Sequence, residues 1–141
     1  MFTLEDLCRR EVYSVATTET VLEASRYMAE RNIGAVGVVD GNRLVGILSE
    51  RDVMKRVVAR AMDPAKTAIS QVMTVSPVTV DISATIEHCL QVMRDVGCRH
   101  LPVLAAGRFT GMLSLRDVLE ADLEQITEEV RHMRAYIHGS S

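Results

Sequence analysis

The stretch Gly46-Ile47-Leu48-Ser49-Glu50-Arg51-Asp52 returns 65 residues later as Gly111-Met112-Leu113-Ser114-Leu115-Arg116-Asp117. The same offset carries Val15 onto Val80, Thr20 onto Thr85, Met28 onto Met93, Val38 onto Val103, Arg43 onto Arg108 and Val53 onto Val118, without a gap. A fixed period over two adjacent units marks an internal duplication. The chain therefore reads as two copies of one supersecondary unit.

Each copy has the order strand, helix, strand, strand, helix. In the first, Val12-Tyr13-Ser14-Val15 is β-prone, and Thr20-Val21-Leu22-Glu23 is a capping box that starts a helix. Val21, Ala24, Ser25 and Met28 share one face of that helix, and Asn32 and Gly34 mark its end. Ala35-Val36-Gly37-Val38-Val39 suits a strand covered on both faces. Asp40-Gly41 then turns the chain into a hairpin partner over 43–48. Ser49 caps a helix predicted through Asp52, Val53 and Val57 towards Ala61, broken by Asp63-Pro64. A connector with one helical turn around Ile69 and Val72 leads to the second copy. There, Pro77-Val78-Thr79-Val80 is predicted as a strand, Ser83 or Thr85 starts a helix, and Ala106-Gly107 turns the hairpin. The predicted organisation is a first unit with its lead-in over 1–62, a connector over 63–73 and a second unit over 74–121. A C-terminal helix over 115–138 overlaps the second unit. The lead-in over 1–10 is amphipathic and ends in Arg9-Arg10, and Gly139-Ser140-Ser141 is expected to fray.

At 141 residues the chain can bury one compact core or two small halves that share one, and with 48% hydrophobic residues and no Trp that core is expected to be Val/Ile/Leu/Met. The net charge of −3 gives no basic field for nucleic acid as the main partner. No apolar run approaches the roughly 20 residues of a membrane span, so no membrane insertion is expected. Residues 1–6 lack the basic and apolar regions of a signal peptide. Cys8, Cys89 and Cys98 are odd in number and lack C-x-x-C spacing, which argues against a disulfide framework or zinc site. A cytoplasmic location is the expectation.

The repeated motif admits two readings. Ser at a helix N-cap leaves first-turn amides free to meet an anion. Asp on that turn can accept two hydrogen bonds from a vicinal diol, and Arg51 or Arg116 adds a planar cation matched to phosphate. Together they can hold a ribose and a phosphate at one helix end. Ser-x-x-Asp is also simply a capping box that stops fraying. Two copies, each preceded by Gly and two apolar residues within a duplicated unit, favour the ligand.

The pattern Gly46-Ile47-Leu48-Ser49-x-x-Asp52 and Gly111-Met112-Leu113-Ser114-x-x-Asp117, with Arg99-His100-Leu101-Pro102-Val103 before the second hairpin, resembles the cystathionine β-synthase-type (CBS) domain. A tandem pair resembles a Bateman module, and the likeness covers roughly residues 8–120. It implies an α/β (α+β) fold of two pseudo-symmetric β-α-β-β-α units packed sheet to sheet. Two clefts between them would bind adenosine-containing ligands such as AMP, ADP, ATP, NAD or S-adenosylmethionine. By the same resemblance, Asp52 and Asp117 match ribose-binding aspartates, and Ser49 and Ser114 the hydroxyl beside ribose or phosphate. Tyr13 and Val78 fall on the early strand whose backbone reads the base edge. Arg99 and His100 fall where basic side chains face phosphate. The first copy has Ala35-Val36-Gly37-Val38 instead of Arg-His-Leu-Pro, so the Asp117 half is expected to be the better supplied, unless each cleft borrows phosphate contacts from the other half.

Leu119, Leu123, Ile126, Val130, Met133 and Ile137 recur at intervals of 4, 3, 4, 3 and 4, an a/d heptad seam. It serves either packing on its own unit or association with a second copy or partner. A homodimer is expected, as the resemblance also implies. The other candidates are bland. His88 reads as structural, His132 and His138 are six apart and share no ligating face, and the Met residues suit core packing. No nucleophile–base set stands out, so no catalysis and no catalytic cofactor are expected. The leading reading is a regulatory nucleotide sensor acting on an enzyme or transporter. The alternative is a scaffold with vestigial sites, and a nucleotide-hydrolysing enzyme is the third.

Overall fold

The computed structural model describes residues 3–8 and 12–139. Arg9-Arg10 of the predicted lead-in and Ser140-Ser141 of the predicted tail lie outside the described residues, as do Met1, Phe2 and Glu11. Two sheets carry the fold. In the first unit β1 (Ser14–Ala16) runs parallel to β2 (Ala35–Asp40), which pairs antiparallel with β3 (Arg43–Ser49). In the second, β5 (Val80–Asp81) runs parallel to β6 (His100–Ala105), antiparallel to β7 (Arg108–Ser114). The duplication extends to detail, because the hairpins slip register between Val38 and Val39 and between Val103 and Leu104, positions one repeat apart.

The helices start where the caps require. Thr20 accepts from the Glu23 amide to open α2 (Val21–Arg31), and Thr85 accepts from the His88 amide to open α4 (Ile86–Val96). The ends also match, with Asn32 and Gly97 both left-handed, the conformation that closes helices with least strain when Gly or Asn supplies it. Val21, Ala24 and Met28 of α2 face the first core, and Ile86, Cys89 and Met93 of α4 take the equivalent places in the second.

The segments before each unit are exchanged in space. α1 (Leu4–Leu7) is capped by a reciprocal Thr3–Asp6 box, and Leu4 is fully buried in the second core. Its repeat partner Ile69, in the 3-10 turn Ile69–Gln71, is fully buried in the first. The sequence groups the lead-in with the first unit and the connector between the units, yet each packs on the half it does not precede. The connector then adds β4 (Thr74–Val75) to the edge of the first sheet, beside β3.

This crossing corrects the strand predicted over 77–80. The chain leaves the first sheet at Val75 and joins the second only at Val80, so Val78 lies in the crossover, 45% exposed. Pro77 has no amide to donate to a ladder, and Ser76 turns the chain with a φ of 47°. The helix predicted from Ser49 towards Ala61 is also modified. α3 (Glu50–Val53) widens into a π-turn over Met54–Val58, with Val57 fully buried and the Arg56 guanidinium donating to the Val72 carbonyl at 2.8 Å. Its counterpart α5 (Leu115–Gly139) stays α-helical to its end.

The halves meet through β2, β3 and β7, where the Phe109 ring covers Gly37 and leaves no room for a Cβ. The motif glycines have the same physical reason. A Cβ on Gly46 would lie 2.6 Å from Met73 Sδ and 2.9 Å from the Thr74 carbonyl, and one on Gly111 would lie 2.8 Å from Cys8 Sγ. Met73 and Cys8 are themselves repeat partners, so each glycine receives the exchanged segment.

Candidate ligand-binding clefts

Each motif turn opens onto a cleft completed by the other half. The Asp117 cleft, about 370 Å³, is lined by Ser114, Arg116, Asp117 and Glu120, by Leu7 and Cys8, and by Tyr13 and residues 32–35. The Asp52 cleft, about 340 Å³, is lined by Ser49, Glu50, Arg51 and Asp52, by Thr74, Ser76, Pro77 and Val78, and by residues 96–100. Both volumes reach the lower range of small-ligand pockets, roughly 300–1,000 Å³. The ten residues singled out in the sequence divide between them. Ser49, Arg51, Asp52, Val78 and Arg99 line one, Ser114, Arg116, Asp117 and Tyr13 the other, and His100 lines both.

The carboxylates serve as helix caps and also line the clefts. Asp52 Oδ2 accepts from the Ser49 amide at 3.0 Å while Ser49 Oγ accepts from the Asp52 amide at 3.1 Å. Asp117 Oδ2 and Ser114 repeat this reciprocal box at 3.4 and 3.1 Å. One oxygen of each Asp is thus a cap. At Asp52 the other oxygen stands 3.9 Å from Arg56 Nε, a loose pairing. Each serine hydroxyl accepts within the box and keeps its own hydrogen to donate.

The free helix-start amides expected from the motif are mostly committed. The Glu50 amide donates to the Gly34 carbonyl at 2.9 Å and the Leu115 amide to the Arg99 carbonyl at 2.7 Å. The third amide of each turn donates to its serine. These bonds tie each α-helix start to the loop before its own hairpin. The backbone reading of Tyr13 changes likewise. Tyr13 precedes β1, its carbonyl accepts from the Gly37 amide at 3.3 Å, and its ring packs edge-on to Tyr27 with centroids 6.2 Å apart. Arg31 lies over the Tyr27 ring, 3.7 Å from its centroid.

The expectation that the Asp117 half is better supplied is reversed for cations. Arg99 belongs to the second copy in sequence but lines the Asp52 cleft, because the loop before each hairpin faces the other half. In the Asp117 cleft the equivalent loop offers Gly34 and Ala35, and Arg116 Nε is held by Glu120 at 3.2 Å. His100 is pushed below its ordinary value of 6.5, chiefly by burial. Carboxylates of Glu50, Asp117 and Asp52 oppose that shift, and Arg99 adds to it. Cys8, on the wall of the Asp117 cleft, is raised to about 11 by burial, then by Cys89 and the Asp117 carboxylate. Leu7, Cys8, Thr74 and residues 96–98 were not singled out from the sequence. The only signal for them was the offset itself, which pairs Leu7 with Val72 and Cys8 with Met73.

A duplicated α/β unit, with exchanged lead-ins and a capped Ser-x-Arg-Asp turn facing each of two inter-unit clefts, defines a tandem two-cleft module. The chain belongs to the CBS domain family, whose family model matches residues 4–59 and 69–124, two domains in tandem that form a Bateman module. A mitochondrial CBS domain-containing protein of Arabidopsis thaliana is 31% identical over 128 residues, 87% of this chain and 62% of that protein's length. A putative signal-transduction protein with CBS domains from Burkholderia ambifaria is 34% identical with a TM-score of 0.78, covering 82% of this chain and 85% of that one. A CBS domain protein from Pyrobaculum aerophilum, solved in complex with AMP, is 27% identical with a TM-score of 0.76, covering 82% and 89%. Among the described residues no helix is long and apolar enough to cross a membrane.

Proposed function

We propose that this chain is a regulatory module that binds adenosine nucleotides in the clefts between its halves and acts in trans on an enzyme or transporter. The observation that carries the reading is the duplicated aspartate, which gives one oxygen to its capping box and lines an inter-unit cleft in each half. The AMP bound by the Pyrobaculum relative supports an adenosine ligand. A ligand shifts a module only by its differential affinity for two arrangements, and a molecule touching both halves has that leverage. Binding without turnover is the favoured role, since the clefts combine capped carboxylates and arginines with a thiol held protonated. The exposed seam on α5, with Leu123 65% and Met133 64% exposed, supports a homodimer. Three free cysteines suit a reducing, cytoplasmic compartment.

Thermal unfolding tests this directly, without ligand and with AMP, ADP, ATP, NAD or S-adenosylmethionine. A ligand at about 100 times its dissociation constant adds roughly 2.7 kcal/mol per site, several degrees in a domain of this size. Asp52→Ala and Asp117→Ala each lose the return hydrogen bond of the capping box, worth about 1 kcal/mol without ligand. At least one should also lose the ligand-dependent rise. A cooperatively unfolding protein that no ligand stabilises is instead a scaffold with vestigial sites.

A further inference from the structure

The 65-residue offset allows the two clefts to be compared position by position, and they differ in charge. At the loop before the hairpin, the Asp52 cleft has Arg99 where the Asp117 cleft has Gly34. Near the motif helix, the Asp117 cleft has Glu120, whose counterpart in the first copy is Lys55. The lining of the Asp117 cleft thus sets Arg116 against Asp117 and Glu120, and the guanidinium already pairs with Glu120 at 3.2 Å. The lining of the Asp52 cleft sets Arg51 and Arg99 against Asp52 and Glu50, and Glu50 lies against Gly34. His100 borders both clefts and does not distinguish them. Two helix-start amides are committed on each side, so side chains decide how a phosphate chain is received.

We propose that the clefts are not redundant: the Asp52 cleft takes the polyphosphate-bearing nucleotide, and the Asp117 cleft takes an adenosine whose 5′ substituent carries no negative charge. This rests on the nucleotide-binding reading and names the ligand class of each site. Arg99 and Glu120 are the specificity-determining residues. Arg99 is a planar, always charged donor suited to phosphate oxygens. Glu120 repels an anion and engages the Nε of the guanidinium that would meet it.

The test is calorimetric titration of adenosine, AMP and ATP into Asp117→Asn and Asp52→Asn. Asn keeps an oxygen for the cap while removing the charged diol acceptor. With the Asp52 cleft intact, affinity should rise about tenfold or more from adenosine to ATP, the scale of one hydrogen bond to a charged group. Arg99→Ala should erase that rise. With the Asp117 cleft intact, ATP should bind no better than adenosine, and Glu120→Lys should reverse that order. If either Asn variant still binds two ligands per chain, Arg99→Ala and Glu120→Lys in the otherwise wild-type chain give the same decision. The same order of ligands in both clefts overturns the inference and leaves the nucleotide reading standing. A folded protein that binds none of the three overturns both.

Discussion

Asp52 and Asp117 each give one oxygen to a helix start while lining a cleft, so under the proposed function local stability and ligand recognition share one side chain. His100 is placed differently, half-buried at the junction where both clefts meet, with Glu50, Asp52 and Asp117 around it and Arg99 beside it. Burial is the largest influence and lowers its pKa from 6.5, so the folded state favours the neutral ring. The unfolded chain then binds the extra proton first as pH falls. Stability is therefore full above the unfolded value, and it declines as pH drops through that value towards the lower folded one. Denaturant titrations between pH 7.5 and 5, at about half-unit steps around the ordinary His value, should show this decline. His100→Gln should flatten it, and an equal slope in the variant would assign the titration to other groups.

Among elements, α5 departs furthest from its repeat partner. The first copy's motif helix ends in a π-turn by Val58, whereas α5 runs 25 residues to Gly139, beyond the family match that closes at 124. Its outer stretch carries Ile126, Val130, Met133 and Ile137, all at least 41% exposed. Apolar side chains at a/d spacing are better buried against another helix than left in water. In a parallel pairing Glu129 at a g position would face Arg134 at the following e position of the other copy. Val130→Asp with Ile137→Asp should yield monomers in light scattering, with helix content and unfolding of the CBS units unchanged. A dimer that survives both aspartates places its interface elsewhere.

At the scale of the whole molecule, the exchanged segments tie each half to the other. Leu4 is 0% exposed in a core whose other members begin at Val80, so the start of the chain completes its far half. Leu4→Ala should cost about 2–5 kcal/mol, the range for truncating a buried leucine. α1 also carries Leu7 and leads into Cys8 on the wall of the Asp117 cleft, so the same variant should weaken ligand at that cleft more than at the Asp52 cleft. Chemical denaturation, followed by ligand titration of Asp52→Asn and of Asp117→Asn, each with and without Leu4→Ala, checks both. Equal loss at the two clefts would mean that α1 acts only through global stability.

The period of 65 residues, the alternating apolar runs and the cap residues already determine the unit, its duplication and the motif turns, because each depends on neighbours close in sequence. Thr20, Ser49 and Thr85 cap their helices as local chemistry requires. The division of the site residues between clefts is different. Arg99 sits fifteen residues before Ser114 in its own copy yet serves the cleft of Asp52, and Val78 leaves its predicted strand to span two sheets. The extra strand β4 and the exchange of Leu4 and Ile69 likewise follow from how the halves pack. A local pattern specifies which side of an element is apolar but not which apolar surface will cover it. Two units of the same fold offer equivalent surfaces, and only their tertiary arrangement decides which half each lead-in completes and which cleft each charge enters.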